Sequence, residues 1–214
     1  NIHVAQVART QLFLDRERLG VRRRVEQEPR YIGQELTVDV TQGATLVLEK
    51  VASFYTSRDK AISECGQEAR TAVARAGRFE RVLADHVRAW KHLWRRFDVH
   101  IEPAAPAKVN VLMLLRLNMF HLLQAVSTHS IGLDTGVPAR GWTGEAYQGH
   151  IFWDELFIFP FFNHRMPEIT RSLLMYRYRR LGEARAAAQR AGYSGAMFPW
   201  QSGSNGEEVT QVRN

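Results

Sequence analysis

A single cysteine, Cys65, stands in 214 residues. An intrachain disulfide is therefore excluded, and burial has to hold the fold together. Cysteine poverty fits a reducing compartment, so a cytoplasmic location is the expectation. Cys65 has no His or Cys nearby in sequence and reads as structural. Long apolar runs are missing too. The longest, residues 109–115, is broken by Asn110 and closed by Arg116, against the roughly 20 residues that span a bilayer. No H-E-x-x-H pair, no nucleophile elbow and no phosphate-cradling glycine loop occurs. His86, His92, His100, His121, His129, His150 and His164 are scattered and His3 is isolated. No metal and no organic cofactor is expected.

Acidic residues are in deficit. The net charge is +7 and the pI about 10.0. Residues 1–100 carry 18 Lys/Arg against 13 Asp/Glu, and residues 101–214 carry 11 against 9. A surplus spread this evenly, mostly arginine beside acidic neighbours, describes solvated surface rather than a nucleic-acid face. The composition, 45% hydrophobic and 24% charged, is that of a soluble globular chain. Its first residue is not methionine and it closes on a polar stretch, 207–211. Both ends read as cut, so a missing leader says little about targeting.

Residues 2–14, 21–26, 31–40 and 44–55 are rich in β-branched and aromatic residues, punctuated by Gly20, Pro29 and Gly43. They predict four strands of one antiparallel sheet, part of a sandwich. After Thr56 the pattern turns helical. Ser57, Arg58 and Asp59 are read as the cap of a helix to residue 76. A second helix spans 79–97, with Phe79, Val82, Leu83, His86, Val87, Trp90, Leu93, Trp94 and Phe97 in one stripe. Trp90 and Trp94 are read as core. Residues 99–102 suggest a short strand. Residues 103–106 form a joint. Helices are then expected over 108–128, apolar on most sides and so buried, and over 152–162, 167–178 and 183–191. Residues 193–214 are read as loop.

Two stretches pair a tryptophan with a hydrogen-bonding side chain. One runs through 149–155 and holds Trp153 and Asp154; the other runs through 195–202 and holds Trp200 and Gln201. A sugar ring offers an apolar C–H face to an indole and a rim of hydroxyls to a carboxylate or amide. Neighbouring glycines let backbone come close. Trp153, Asp154, Trp200 and Gln201 are therefore the candidate sugar contacts, expected to line one concavity. At a helix start Asp154 can also serve as a cap, and Glu155 competes for that role. His150 either orients a sugar contact or packs. The loop 141–149, with Trp142 and Glu145 between glycines, has the character of a binding loop.

These residues carry a likeness. Residues 142–154, WTGEAYQGHIFWD, together with 173–180, LLMYRYRR, and 192–202, GYSGAMFPWQS, resemble glycoside hydrolase family 65. That family holds maltose, trehalose and kojibiose phosphorylases and acid trehalases. The resemblance is dense over 116–208 and looser over 1–100. It implies a multidomain chain: 1–56 as the end of an N-terminal antiparallel β-sandwich, 57–106 as a helical linker, and 107–214 as the first part of an (α/α)6 catalytic barrel. It implies an enzyme that cleaves α-linked glucose disaccharides with inversion, by phosphorolysis or hydrolysis. Trp153 and Asp154 would hold the glucosyl unit, with Trp200 and Gln201 near it. Phosphate is the co-substrate if the enzyme is a phosphorylase, since phosphate needs no base while water does. The implied general acid glutamate lies beyond Asn214, so no catalytic residue is assigned here. The alternative is a non-catalytic carbohydrate-binding or structural fragment. Two departures stand out: Glu155 follows Asp154 where many members have Thr, and Gln201 replaces a Glu. Expected partners are a glucose-containing disaccharide, phosphate and a second copy of the chain as a homodimer, with no nucleic acid and no membrane.

Overall fold

The structure is a computed structural model that describes residues 2–60, 62–102, 110–141, 146–203 and 205–210. It divides into two compact units, 1–91 and 92–214.

In the first unit, β1 (Val4–Leu14) pairs antiparallel with β5 (Leu46–Thr56) along its whole length, from Val4 opposite Thr56 to Leu14 opposite Leu46. A two-residue turn, Asp15 and Arg16, both at positive φ, folds β1 back onto β2 (Glu17–Leu19). That turn was invisible in sequence because Asp-Arg lacks the glycine that usually marks two left-handed residues. β3 (Arg23–Glu28) and β4 (Tyr31–Leu36) form a separate, exposed hairpin. The single four-stranded sheet is thus corrected to a three-stranded sheet, β2-β1-β5, plus a two-stranded one.

α1 (Cys65–Arg75) lies on β1 and β5 and buries Ala69 and Val73. Its cap is Glu64, whose carboxylate accepts from the Gly66 and Gln67 amides at 2.8 and 2.6 Å. Ser57 to Asp59 therefore do not cap it. Asp59 instead accepts from the Thr56 amide at 2.6 Å and closes a turn. Glu49, buried on β5, takes two hydrogen bonds from Arg78 at 2.7 and 3.1 Å, which hold its carboxyl below the usual range. Arg78 also lies 3.8 Å over the Phe13 ring.

α2 (Phe79–Phe97) starts in the first unit and ends in the second. Its apolar stripe is present but not core: Phe79, Val82, Leu83 and Val87 are exposed, and only Phe97 is fully buried. Trp90 and Trp94 are half-buried. The physical reason is that α1, not α2, covers the sheet. Residues 99–102 form no strand.

In the second unit, Phe97 packs against Phe161 and Phe162 at 5.0 and 5.9 Å. α3 (Val111–Ala125) is capped by Asn110. It buries Met119 and Leu123 but leaves Val111, Met113, Leu114 and Leu117 exposed, so it is less enclosed than its apolar sequence suggested. By length and composition Val111–Ser130 is apolar enough to cross a membrane. Counting unbroken runs missed this, because an average tolerates Arg116, Asn118 and His121. The helix expected over 152–162 resolves into β6 (Ile151–Phe152), a 3-10 turn (Trp153–Ile158) and α4 (Phe159–Asn163). α5 (Pro167–Tyr178) starts at its proline as expected, and α6 (Leu181–Arg190) ends before Gly192 at φ +79°. The segment read as loop after 193 contains β7 (Gln201–Ser202). Antiparallel sheets followed by helices are therefore the architecture.

Candidate functional site

The two tryptophan motifs meet. β6 and β7 pair antiparallel, Ile151 opposite Ser202 and Phe152 opposite Gln201. One residue further, the Trp153 amide donates to the Trp200 carbonyl at 3.1 Å. The two indoles lie 5.1 Å apart, tilted by 38°, and Phe157 extends the cluster at 5.4 Å from Trp153. All three rings reach solvent; Trp153 is 40% and Trp200 55% exposed.

Several buried groups fix this ribbon. Tyr176 of α5, fully buried, bonds the Ser202 hydroxyl at 3.2 Å and donates to the Gly203 carbonyl at 3.0 Å. The Glu208 carboxylate accepts from the Trp200 and Gln201 amides at 2.7 and 3.3 Å. Burial raises its pKa, but hydrogen bonds from Thr210, Trp200 and Gln201 outweigh that and lower it. Asp134 binds Arg180 and Arg179 at 2.9–3.1 Å, and these arginines hold its carboxyl below the usual range. Arg180 also donates to the Asn205 carbonyl, tying the loop after β7 to the helices.

On the β6 side, Tyr147 and Gln148 are both left-handed, at φ 66° and 53°, and Gly149 follows at 73°. This turn delivers His150, whose Nδ1 lies 2.7 Å from the Gln201 amide nitrogen. Gln201 therefore faces His150, the contact that an orienting role for His150 requires.

Asp154 and Glu155 part company. Neither caps the 3-10 turn, which has no side-chain cap. Glu155 turns inward with its side chain fully buried, accepts from the Val137 amide at 2.7 Å and faces Arg177 at 3.4 Å. Burial is the largest influence and pushes its pKa up; the Val137 and Arg177 contacts only partly offset it, and Asp154 adds to the rise. Gly136 permits this packing, since a Cβ there would sit 2.6 Å from the Glu155 carboxylate and 2.8 Å from Ile151. Asp154 is half-buried and lines a concavity of about 370 Å³ with Asn118, His121 and residues 137–141. Trp200 lines a different hollow, beside Pro199, Arg180 and Glu183.

The four sequence-predicted contacts come together along one ribbon, with Trp153 and Trp200 5.1 Å apart on the same side; of the described hollows, Asp154 lines one and Trp200 another. Trp200, just before β7, lines the other hollow, while the Gln201 side chain turns to His150. Trp142 and Glu145 lie outside the described residues. Sequence reasoning weighed Glu155 only as a cap and a departure from the family motif, and gave no role to Arg177, Tyr176 or Glu208. The acidic doublets 154–155 and 207–208 were the available signal, because one member of such a pair can turn inward while the other faces out. Among the described residues no group of three or more His, Cys, Asp or Glu could hold a metal ion.

Residues 1–93 match the pattern described as glycosyl hydrolase family 65, N-terminal domain, and residues 116–214 match glycosyl hydrolase family 65 central catalytic domain. The chain belongs to glycosyl hydrolase family 65. It is 46% identical over 210 residues to an uncharacterized glycosyl hydrolase of Mycobacterium tuberculosis, covering 98% of this chain and 16% of that protein. It is 36% identical over 182 residues to the kojibiose phosphorylase of Halothermothrix orenii, covering 80% of this chain and 23% of the relative. The trehalose 6-phosphate phosphorylase of Lactococcus lactis is 34% identical over 185 residues, covering 84% and 23%. The chain thus spans between 16% and 23% of the length of these relatives.

Proposed function

We propose that this family 65 chain forms the donor-sugar side of an enzyme that cleaves α-linked glucose disaccharides with inversion, by phosphorolysis or hydrolysis. The observation that carries the reading is the pairing of β6 with β7, which sets Trp153 against Trp200 and puts Asp154 beside them. Indole faces receive sugar C–H surfaces, and a half-buried carboxylate next to them accepts from hydroxyls. The phosphorylases among the relatives favour phosphate as the nucleophile. In this reading residues 107–214 begin an (α/α)6 barrel, 57–106 link it to the sheet domain, and the general acid comes from outside these 214 residues. The chain alone then binds sugar without turning it over.

The test is Asp154→Ala in the full-length protein, assayed with phosphate on kojibiose, trehalose and maltose. Loss of hydroxyl contacts that tighten toward the transition state costs about 2–4 kcal/mol, a fall in kcat/KM of roughly 30- to 1,000-fold. An unchanged kcat/KM on every disaccharide that the wild type cleaves sinks the assignment.

A further inference from the structure

The polar residues of α3 follow a pattern that lies outside the two tryptophan motifs. Of its fifteen residues, four are not apolar: Arg116, Asn118, His121 and Gln124. Arg116 turns to Asp98, with a two-point ion pair at 2.7 and 2.8 Å. The other three, spaced by three, fall on one face of the helix. All three line the concavity that Asp154 also lines. Asn and His are poorer helix formers than the Leu and Met around them. Solvent contact alone gives no reason to gather all three on the wall of one hollow.

We propose that Asn118, His121 and Gln124 read the hydroxyls of the glucosyl unit that Asp154 also takes, in this concavity. The inference rests on the function proposed above and adds specificity residues from α3. The chemistry fits a pyranose. Leu122, Val137 and Ile158 give the hollow apolar surface for ring C–H groups. Each amide offers both donors and acceptors, and the imidazole a donor and an acceptor when neutral, which is what a hydroxyl requires. Asp154 adds a carboxylate acceptor. Glu155 borders the hollow but is engaged by Val137 and Arg177, so it closes the wall rather than reading the ligand. The volume, about 370 Å³, falls inside the roughly 300–1,000 Å³ usual for small-molecule sites.

Calorimetric titration of the full-length protein with D-glucose, D-mannose and D-galactose tests the proposal. Asn118→Ala and His121→Ala are the variants, and both positions are exposed, so little folding stability is at stake. Glucose binding should weaken about tenfold in each, with Tm unchanged. Part of the wild type's preference for glucose over its C2 or C4 epimer should disappear, an effect that loosened structure does not produce. If both variants bind like the wild type while Asp154→Ala loses affinity, the α3 inference is overturned and the function proposed above stands. Equal weakening toward all three sugars also overturns it, because that marks a structural role. If the wild type binds no glucose, both fall together.

Discussion

Replacing Arg177 by Met removes the cation that faces a fully buried carboxylate. In the native fold Glu155 already has a pKa raised above 4.5, mainly by burial. A group raised in this way supports stability fully only below its unfolded value, and that support is lost as pH rises through the folded value. Without Arg177 the pKa climbs further, so the variant loses more as pH rises. The loss has a ceiling, because the carboxyl can always take up a proton. At about 1.4 kcal/mol per pH unit, protonating a group of ordinary pKa 4.5 costs about 3.4 kcal/mol at pH 7 and about 0.7 kcal/mol at pH 5. Arg177 also donates to the Phe152 carbonyl at 3.1 Å, and losing that bond adds about 1 kcal/mol at any pH. The readout is hydrogen exchange at the Val137 amide, which Glu155 accepts. After correction for intrinsic rates, protection should fall by at most about a thousandfold at pH 7 and by roughly tenfold at pH 5. An equal loss at both pH values refutes the electrostatic reasoning. A loss well above the ceiling shows that Arg177 holds more than Glu155 and the Phe152 carbonyl.

Gly136→Ala should destabilise the second unit by about 1–3 kcal/mol, since the new methyl meets Ile151 as well as the carboxylate; a denaturant midpoint equal to wild type contradicts this. Tyr176→Phe removes two hydrogen bonds to the β7 end of the ribbon and should cost about 1–2 kcal/mol, read by faster exchange at the Ser202 amide. Glu208 has a lowered pKa, so its support for the Trp200 loop is present above the ordinary carboxylate range and is lost as pH falls through the lowered value. Tryptophan fluorescence should therefore change as pH falls below the ordinary carboxylate range, and Glu208→Gln should remove that transition. Trp200→Phe should reduce the near-ultraviolet circular dichroism that two indoles 5.1 Å apart produce; an unchanged spectrum argues against their contact.

The sequence by itself determined the elements that depend on local pattern. Periodicity in 79–97, the proline at 167 and the glycine at 192 gave α2, α5 and the end of α6 close to where they lie. The two tryptophan motifs were legible because their residue types and glycine neighbours answer a chemical need, and the family followed from them. Other features required the chain to be folded. The Asp15–Arg16 turn carries no glycine, and Glu64 caps α1 although glutamate is a poor marker for that position. The stripe of α2 spoke of burial, but whether a stripe is covered depends on which helix takes the sheet. The pairing of Phe152 with Gln201, 49 positions apart, decided that the motifs share a ribbon and that Gln201 meets His150. Likewise the sequence offered two adjacent acids at 154 and 155. Only the packing of Gly136, Val137 and Arg177 decided which one is buried, because a carboxylate goes inside where an amide and a cation already wait for it.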